Sequence, residues 1–232
     1  MTTILATDFW TSIMPNVVAN KDVFIQSTWE TIYMTLVSGI IAGILGIIIG
    51  IALVVTAPGG ILANRTTYWI LDKLVNIFRS IPFIILLAVI APFTRLLVGT
   101  SIGTTAALVP LTIGTAPFYA RQVQNALVDV DRGIIEAAEA VGASPMQIIF
   151  RVYLREALPD LIRTSVVTVI SLIGLTAMAG AIGGGGLGNT AISIGYDRFE
   201  NDITIMAMII ILAIVFIIQI LGDLWARKTD HR

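Results

Sequence analysis

The sequence predicts an all-α, polytopic membrane protein with five transmembrane helices, an extracytoplasmic N-terminus and a cytoplasmic C-terminus. Three observations predict this fold class. Of the 232 residues, 56% are hydrophobic and 12% are charged, which is half the charged fraction of about 25% in a soluble domain. The apolar residues form long runs that a bilayer can bury and a single soluble core cannot. The arginines and lysines also gather on alternate connections between those runs.

Five segments are long and apolar enough to cross a bilayer, which takes about 20 residues of helix. The second segment is the least clear, because Arg79 interrupts its apolar run. The predicted spans are about residues 31–56, 70–94, 100–125, 160–182 and 203–224, all within a transmembrane domain of residues 30–225.

The first 29 residues are predicted to be an extracytoplasmic or interfacial segment. They lack the basic start and short apolar stretch of a secretory signal. Phe9, Trp10 and Trp29 are aromatic residues of the kind that lie at the depth of lipid headgroups. Residues 226–232 are predicted to be a cytoplasmic tail.

The positions of the basic residues predict the orientation. Cytoplasmic connections of membrane proteins carry an excess of lysine and arginine. When the connections are taken between the charge-free runs, so that the long loop covers about residues 121–163, ten of these residues fall on the side of the long loop and the C-terminus. Three fall on the other side, and Arg79 interrupts a run. The loop between spans three and four, about residues 126–159, is therefore predicted to be cytoplasmic.

Arg79 and Pro82 mark a candidate bend or pathway element in the second span. A charge within a span is costly, so it either snorkels, pairs with another group or lines a polar cavity. Pro82 removes a backbone hydrogen bond and predicts a bend three residues later. The sequence alone leaves a structural and a transport role for Arg79 both open.

Two sets of glycines lie in or beside the predicted spans. Gly39, Gly43, Gly46 and Gly50 recur at a spacing that lets helices pack closely, either within one subunit, which we favour, or between two subunits. The second set, Gly183, Gly184, Gly185 and Gly186, cannot sustain a helix, so we expect a pliable turn. This turn is a candidate outer gate, with a plain connector as the alternative.

The long cytoplasmic loop predicts two short helices joined at an elbow. Asp131 is placed to cap the first helix, and Gly142 suits the left-handed conformation that closes one. Ser144 and Gln147 have the spacing of a capping box, with Pro145 at the first helical position. We expect a rigid elbow that either connects two spans or docks against another protein.

Glu136-Ala137-Ala138 followed by Gly142 resembles the EAA motif of ABC importer permeases. In that family the loop forms a coupling helix that seats in a groove of the ATPase subunit. We expect Glu136 to cap its own helix rather than to pair with the ATPase. The residues that the resemblance assigns to ATPase coupling are Glu136, Ala137, Ala138, Gly142, Ala143, Ser144 and Pro145.

Four other stretches resemble the permease of bacterial methionine importers, and together they extend the resemblance over about residues 27–225. One departure is Leu154-Arg155, where many relatives have Leu-Pro, so the bend after the elbow is expected to differ. The stretches are Trp29-Glu30-Thr31 with Met34-Thr35, Arg79-Ser80-Ile81-Pro82-Phe83, Ala116-Pro117-Phe118-Tyr119-Ala120-Arg121, and Ala181-Ile182-Gly183-Gly184-Gly185-Gly186-Leu187-Gly188.

The resemblance implies a non-catalytic permease of the small ABC importer type in the bacterial inner membrane. Two copies would form the pore, with two ATP-binding subunits beneath them and a substrate-binding protein above. This chain would need no cofactor, because ATP and magnesium bind to the ATPase. The implied substrate is D- or L-methionine or a related amino acid, and no nucleic acid is involved.

Two other functional classes fit the residues less well. A secondary transporter or channel would need coupling carboxylates within its spans, yet the acidic residues here lie at or beyond the span ends. An enzyme would need a nucleophile or a ligand cluster, yet the chain has no cysteine and one histidine, His231.

Overall fold

The structure, a computed structural model, describes residues 12–229, which are helical with no strand among them. Phe9, Trp10 and His231 lie outside the described residues. The α-helices are α1 (Pro15–Ala19), α2 (Lys21–Thr56), α3 (Arg65–Ser80), α4 (Phe83–Val98), α5 (Thr104–Val128), α6 (Arg132–Ala140), α7 (Pro145–Ile148), α8 (Leu154–Glu156), α9 (Leu158–Ala179), α10 (Gly186–Asn189) and α11 (Asn201–Thr229). Three π-helical segments cover Ile149–Tyr153, Gly180–Gly184 and Thr190–Tyr196.

Three helices of the described chain are long and apolar enough to cross a membrane. They are α2, α11 and the helix over Leu158–Gly184, and the bent pair of α3 and α4 adds a fourth if it forms one span. Helix α5 has 25 residues, but threonines, prolines and Arg121 interrupt its apolar run. The all-helical membrane fold is thus confirmed, whereas five spans and their orientation stay predictions.

The predicted second span is divided at the proline. Helix α3 ends at Ser80, and Ile81 is extended with φ −81° and ψ 120°. Helix α4 begins at Phe83, directly after Pro82. Because proline has no backbone N–H and disfavours helix at the preceding residue, the bend lies where the sequence places it.

The first of two compact units comprises residues 12–38, Phe83–Leu111 and Ser171–Ile217 of the described chain. One of its buried clusters centres on Met34, Leu111 and Leu172, which lie on α2, α5 and α9. A second cluster includes Phe24, Leu187, Ile203 and Ala207. These contacts set the start of α2 against the glycine-rich segment that follows α9.

The second unit comprises Gly39–Pro82, Thr112–Ile170 and residues 218–229. A Cβ atom on Gly46 would lie 2.6 Å from Tyr119, and one on Gly50 would lie 2.6 Å from Val123. These two glycines therefore let α2 and α5 pack closely within the chain, as favoured from the sequence. A Cβ atom on Gly43 would meet nothing within 4 Å.

Large apolar side chains are exposed along the candidate spans. Only 11% of the most apolar 18-residue stretch of α11 is buried within the chain. Phe216, Ile217 and Ile220 are among its exposed side chains. An exposed apolar surface of this extent matches contact with lipid or with another hydrophobic subunit.

Candidate functional site

The elbow predicted between spans three and four begins with a capped helix. Asp131 precedes α6, and its carboxylate Oδ1 accepts a hydrogen bond from the backbone N–H of Gly133 at 2.7 Å. Helix α6 then covers Arg132–Ala140. Because the cap satisfies a backbone donor that no helical carbonyl can reach, it fixes where the helix starts.

Gly142 closes α6 in a left-handed conformation, with φ +79°. Its N–H donates to the carbonyl of Glu139 at 2.9 Å, and the N–H of Ala143 donates to the carbonyl of Ala138 at 3.0 Å. A Cβ atom on Gly142 would meet nothing within 4 Å. Glycine is therefore required by the backbone conformation and not by crowding.

The second arm of the elbow begins at a capping box. The N–H of Gln147 donates to Ser144 Oγ at 3.4 Å, and the N–H of Ser144 donates to Gln147 Oε1 at 2.8 Å. Pro145 occupies the first turn of α7, where its missing N–H costs nothing. The chain continues helically through Arg155, which lies in α8.

Glu136 does not cap its helix, so that expectation is wrong. Its carboxylate Oε1 accepts a hydrogen bond from Arg132 Nε at 3.0 Å, one helical turn away. Both side chains are exposed, and an exposed pair of this kind stabilises a helix only weakly. The Glu136 carboxylate is thus accessible to a partner.

The elbow has a buried face and an exposed apolar face. Ile148 and Tyr153 are buried in the main cluster of the second unit, and Ile135, Ala138 and Ala143 pack against it. On the other face the exposed apolar side chains are Ile134, Val141, Met146 and Phe150, with Val141 exposed by 84%. Exposed apolar groups of this kind are typical of surfaces that contact another protein or a membrane.

A cavity of about 220 Å³ lies beside α6, between the elbow and the turn after α2. Its lining includes Arg132, Glu136, Glu139 and Tyr153. Burial raises the pKa of the Tyr153 hydroxyl, Glu139 raises it further, and Arg132 opposes the change. The phenol is therefore neutral, and the charge of the cavity comes from the two glutamates and the arginine.

Arg79 lies in the last turn of α3 and is exposed. A positive charge at this end of a helix is favoured by the helix dipole. The residue therefore lies at a helix terminus, next to the break at Pro82, and not in the middle of a continuous helix.

The glycine-rich segment forms a turn that contacts side chains of α2. Gly183, Gly185 and Gly186 have positive φ values of 92°, 79° and 72°. The N–H of Gly186 donates to Glu30 Oε2 at 2.7 Å, and the N–H of Leu187 donates to the hydroxyl of Thr31 at 2.8 Å. Side chains near the start of α2 therefore hold the turn.

Comparison with known proteins identifies the family. Residues 46–232 match the family described as "Binding-protein-dependent transport system inner membrane component". This chain belongs to that family. It is similar to the probable D-methionine transport system permease protein MetI of Vibrio cholerae, with 47% identity over 215 residues, covering 92% of this chain and 95% of the relative.

Two further matches agree with this family. The methionine import system permease protein MetP of Bacillus subtilis is 52% identical over 206 residues, covering 89% of this chain and 93% of the relative. A solved structure of the MetNI methionine ABC transporter in an inward-facing conformation matches with a TM-score of 0.90 and 46% identity. That match covers 92% of this chain and 99% of the other.

In this inner membrane component, sequence reasoning missed a polar cluster. The sequence predicts no partner for Arg121, but its Nη2 lies 2.7 Å from Asp72 Oδ1 and 3.0 Å from Asn76 Oδ1, and its Nη1 lies 2.5 Å from Gln124 Oε1. Asp72 and Asn76 are four residues apart on the same face of α3. The spacing of Asp72 and Asn76 was the sequence feature that could have indicated this polar cluster.

Proposed function

We propose that this chain is the permease subunit of an ATP-driven importer for D- or L-methionine. The observation that carries the proposal is the capped elbow with its exposed apolar face, in a chain of the inner membrane component family. The methionine assignment draws on relatives named as methionine permeases. A related amino acid is the alternative substrate.

The coupling role is assigned to the elbow. A partner ATPase that holds ATP and magnesium would seat against Val141, Met146 and their apolar neighbours. The elbow would then transmit the closure of the ATPase dimer to the spans through its buried face. Two capped helices and the turn at Gly142 make the elbow rigid enough to transmit that movement.

The assembly that we propose has two copies of this permease, two ATP-binding subunits and an extracytoplasmic substrate-binding protein. The turn over Gly183–Gly186 is proposed as the outer gate, held by Glu30 until the binding protein docks. Arg79 and Pro82 are proposed to form the bend at which α3 and α4 move. These roles require five spans with the elbow in the cytoplasm, as the charge distribution predicts.

Co-purification tests the partnership directly. The tagged permease, extracted from its native host in mild detergent, should retain an ATP-binding subunit in a one-to-one ratio. Val141→Asp together with Met146→Asp should release that subunit, whereas Ile217→Asn, at an exposed position on α11, serves as a matched control. Recovery of the permease without any ATPase from every gentle extraction would contradict the proposal.

A further inference from the structure

A cavity of about 230 Å³ lies beside α4 and α5 in the first unit. Small side chains form much of its wall, among them Ala88, Ala91 and Ala106. Gly184 of the glycine-rich turn also lines it. Since an engineered apolar cavity of about 150 Å³ admits benzene, this volume accommodates a small organic ligand.

Thr94 lines this cavity, and its hydroxyl has no hydrogen-bond partner within the described chain. The residue is only 3% exposed. A buried hydroxyl without a partner is costly, and more so in a bilayer, where no water replaces the lost bond. The hydroxyls of Thr35 and Thr115 also lack partners among the described residues, but neither residue lines this cavity.

Two prolines add backbone acceptors beside the same cavity. Pro92 lies inside α4, and Pro110 lies inside α5. A proline has no N–H to donate to the carbonyl four residues earlier, which belongs here to Ala88 and Ala106 respectively. Both alanines line the cavity. Carbonyl oxygens without a helical donor are suitable acceptors for an ammonium group.

The beginning of α5 adds backbone donors. Gly103 and Ala106 border the cavity, and α5 starts at Thr104. The first turn of a helix has N–H groups without helical partners and a partial positive charge, which together favour a carboxylate. The N–H of Gly103 is already used, because it donates to the carbonyl of Gly183 at 2.9 Å.

We propose that this cavity is a binding site on the transport path for a zwitterionic amino acid with an uncharged, apolar side chain. The inference rests on the proposed importer function and adds to it the place and the chemistry of recognition. The carboxylate binds at the start of α5, the ammonium group binds the carbonyls of Ala88 and Ala106, and Thr94 supplies a further hydrogen bond. The described lining has no charged side chain, so charged amino acids are disfavoured.

Cysteine protection tests this site, because the chain has no cysteine of its own. Ala91→Cys is introduced into the complete complex of permease, ATPase and binding protein in proteoliposomes, and its alkylation by N-ethylmaleimide is followed by mass spectrometry. Saturating methionine should slow this alkylation about fivefold or more, and glutamate should not. Ala63→Cys, at an exposed position between α2 and α3, should react at the same rate throughout.

A second pair of variants tests whether the Thr94 hydroxyl contributes to binding. In the Ala91→Cys background, Thr94→Val should raise the methionine concentration for half-maximal protection by about three- to tenfold, the worth of one hydrogen bond. Thr66→Val, at an exposed position on α3, should leave that concentration unchanged. Ala88→Cys provides the same measurement if the Ala91→Cys complex does not assemble.

The outcomes separate this site from the proposed function. Unprotected cysteines in a complex that accumulates methionine would overturn the site, and so would equal slowing at Ala63→Cys. If the complex carries a different apolar amino acid and that compound protects Ala91→Cys, the site stands and only the methionine assignment fails.

Discussion

The guanidinium of Arg121 lies 2.7 Å from the carboxylate of Asp72, although 49 residues separate them in the sequence. Their side chains are 17% and 23% exposed. Arg121 also donates hydrogen bonds to Asn76 and Gln124, so its guanidinium has three side-chain partners. The contact joins α3, whose last turn holds Arg79, to α5 within the second unit.

Breaking this pair should destabilise the permease. Asp72→Asn leaves the mostly buried Arg121 charge without its counter-ion, which should cost about 2–3 kcal/mol of unfolding free energy. Arg121→Met in the same chain should recover part of that loss, because no unpaired charge remains. Thermal unfolding of the purified permease in detergent measures both, with Glu136→Gln of the exposed Arg132–Glu136 pair as a control expected within about 0.5 kcal/mol. Equal effects of Asp72→Asn and Glu136→Gln would count against the structural role.

The left-handed conformation at Gly142 should make the elbow sensitive to β-branched residues. Gly142→Val should strain the turn by about 1–2 kcal/mol or more and uncouple ATP hydrolysis from transport. Gly142→Asn should retain most transport, because asparagine adopts this conformation more readily and the site has free space. Uptake and ATPase activity are measured together in proteoliposomes. Normal uptake by a correctly assembled Gly142→Val complex would show that the elbow geometry does not matter.

The sequence predicts the elbow well because its determinants are local. Asp131, Gly142 and the Ser144–Gln147 box each act within about four residues, and all three lie where the pattern places them. The contact between Arg121 and Asp72 could not be predicted in this way, since neither residue's local pattern identifies a partner on another helix. The hydrogen bond from Gly186 to Glu30 was missed for the same reason, because Glu30 lies 156 residues before Gly186.

The span count shows a second limit of sequence patterns. Pro82 predicts that a helix breaks, but a missing hydrogen bond does not determine how sharply the two helices bend. The third span is predicted from a charge-free run that ends at Ala120, whereas the threonines, prolines and Arg121 of α5 keep it from being apolar enough to count as a candidate span. Such a helix is stable in a membrane when neighbouring helices cover it.

Close packing at Gly185 should make the proposed outer gate intolerant of alanine. A Cβ atom there would lie 2.8 Å from Glu30 Oε2 and 3.0 Å from Thr104 Cγ2, in addition to the strain of a positive φ. Gly185→Ala should therefore reduce transport about tenfold. Gly99→Ala has a similar φ of +84° with nothing within 4 Å, and it should reduce transport less than about threefold. Uptake at matched expression compares the two variants, and equal losses would refute the contact argument.

The capping box should determine the stability of the second arm of the elbow. Ser144→Ala removes the acceptor for the Gln147 N–H and should cost about 1 kcal/mol locally. Hydrogen exchange of residues 145–153 in the purified complex should become roughly fivefold faster, with exchange of residues 132–140 unchanged. The Ser144→Thr variant retains the acceptor and should keep exchange slow. Unaltered exchange in the Ser144→Ala protein would show that the box does not stabilise this arm.

Uptake of labelled methionine by proteoliposomes that contain the permease, its ATPase and its binding protein tests the central claim most directly. The account predicts accumulation against a gradient only when ATP is supplied on the side of the ATPase and the binding protein is on the opposite side. Accumulation without ATP, or ATP hydrolysis by an intact complex that carries no methionine or related amino acid, would contradict it.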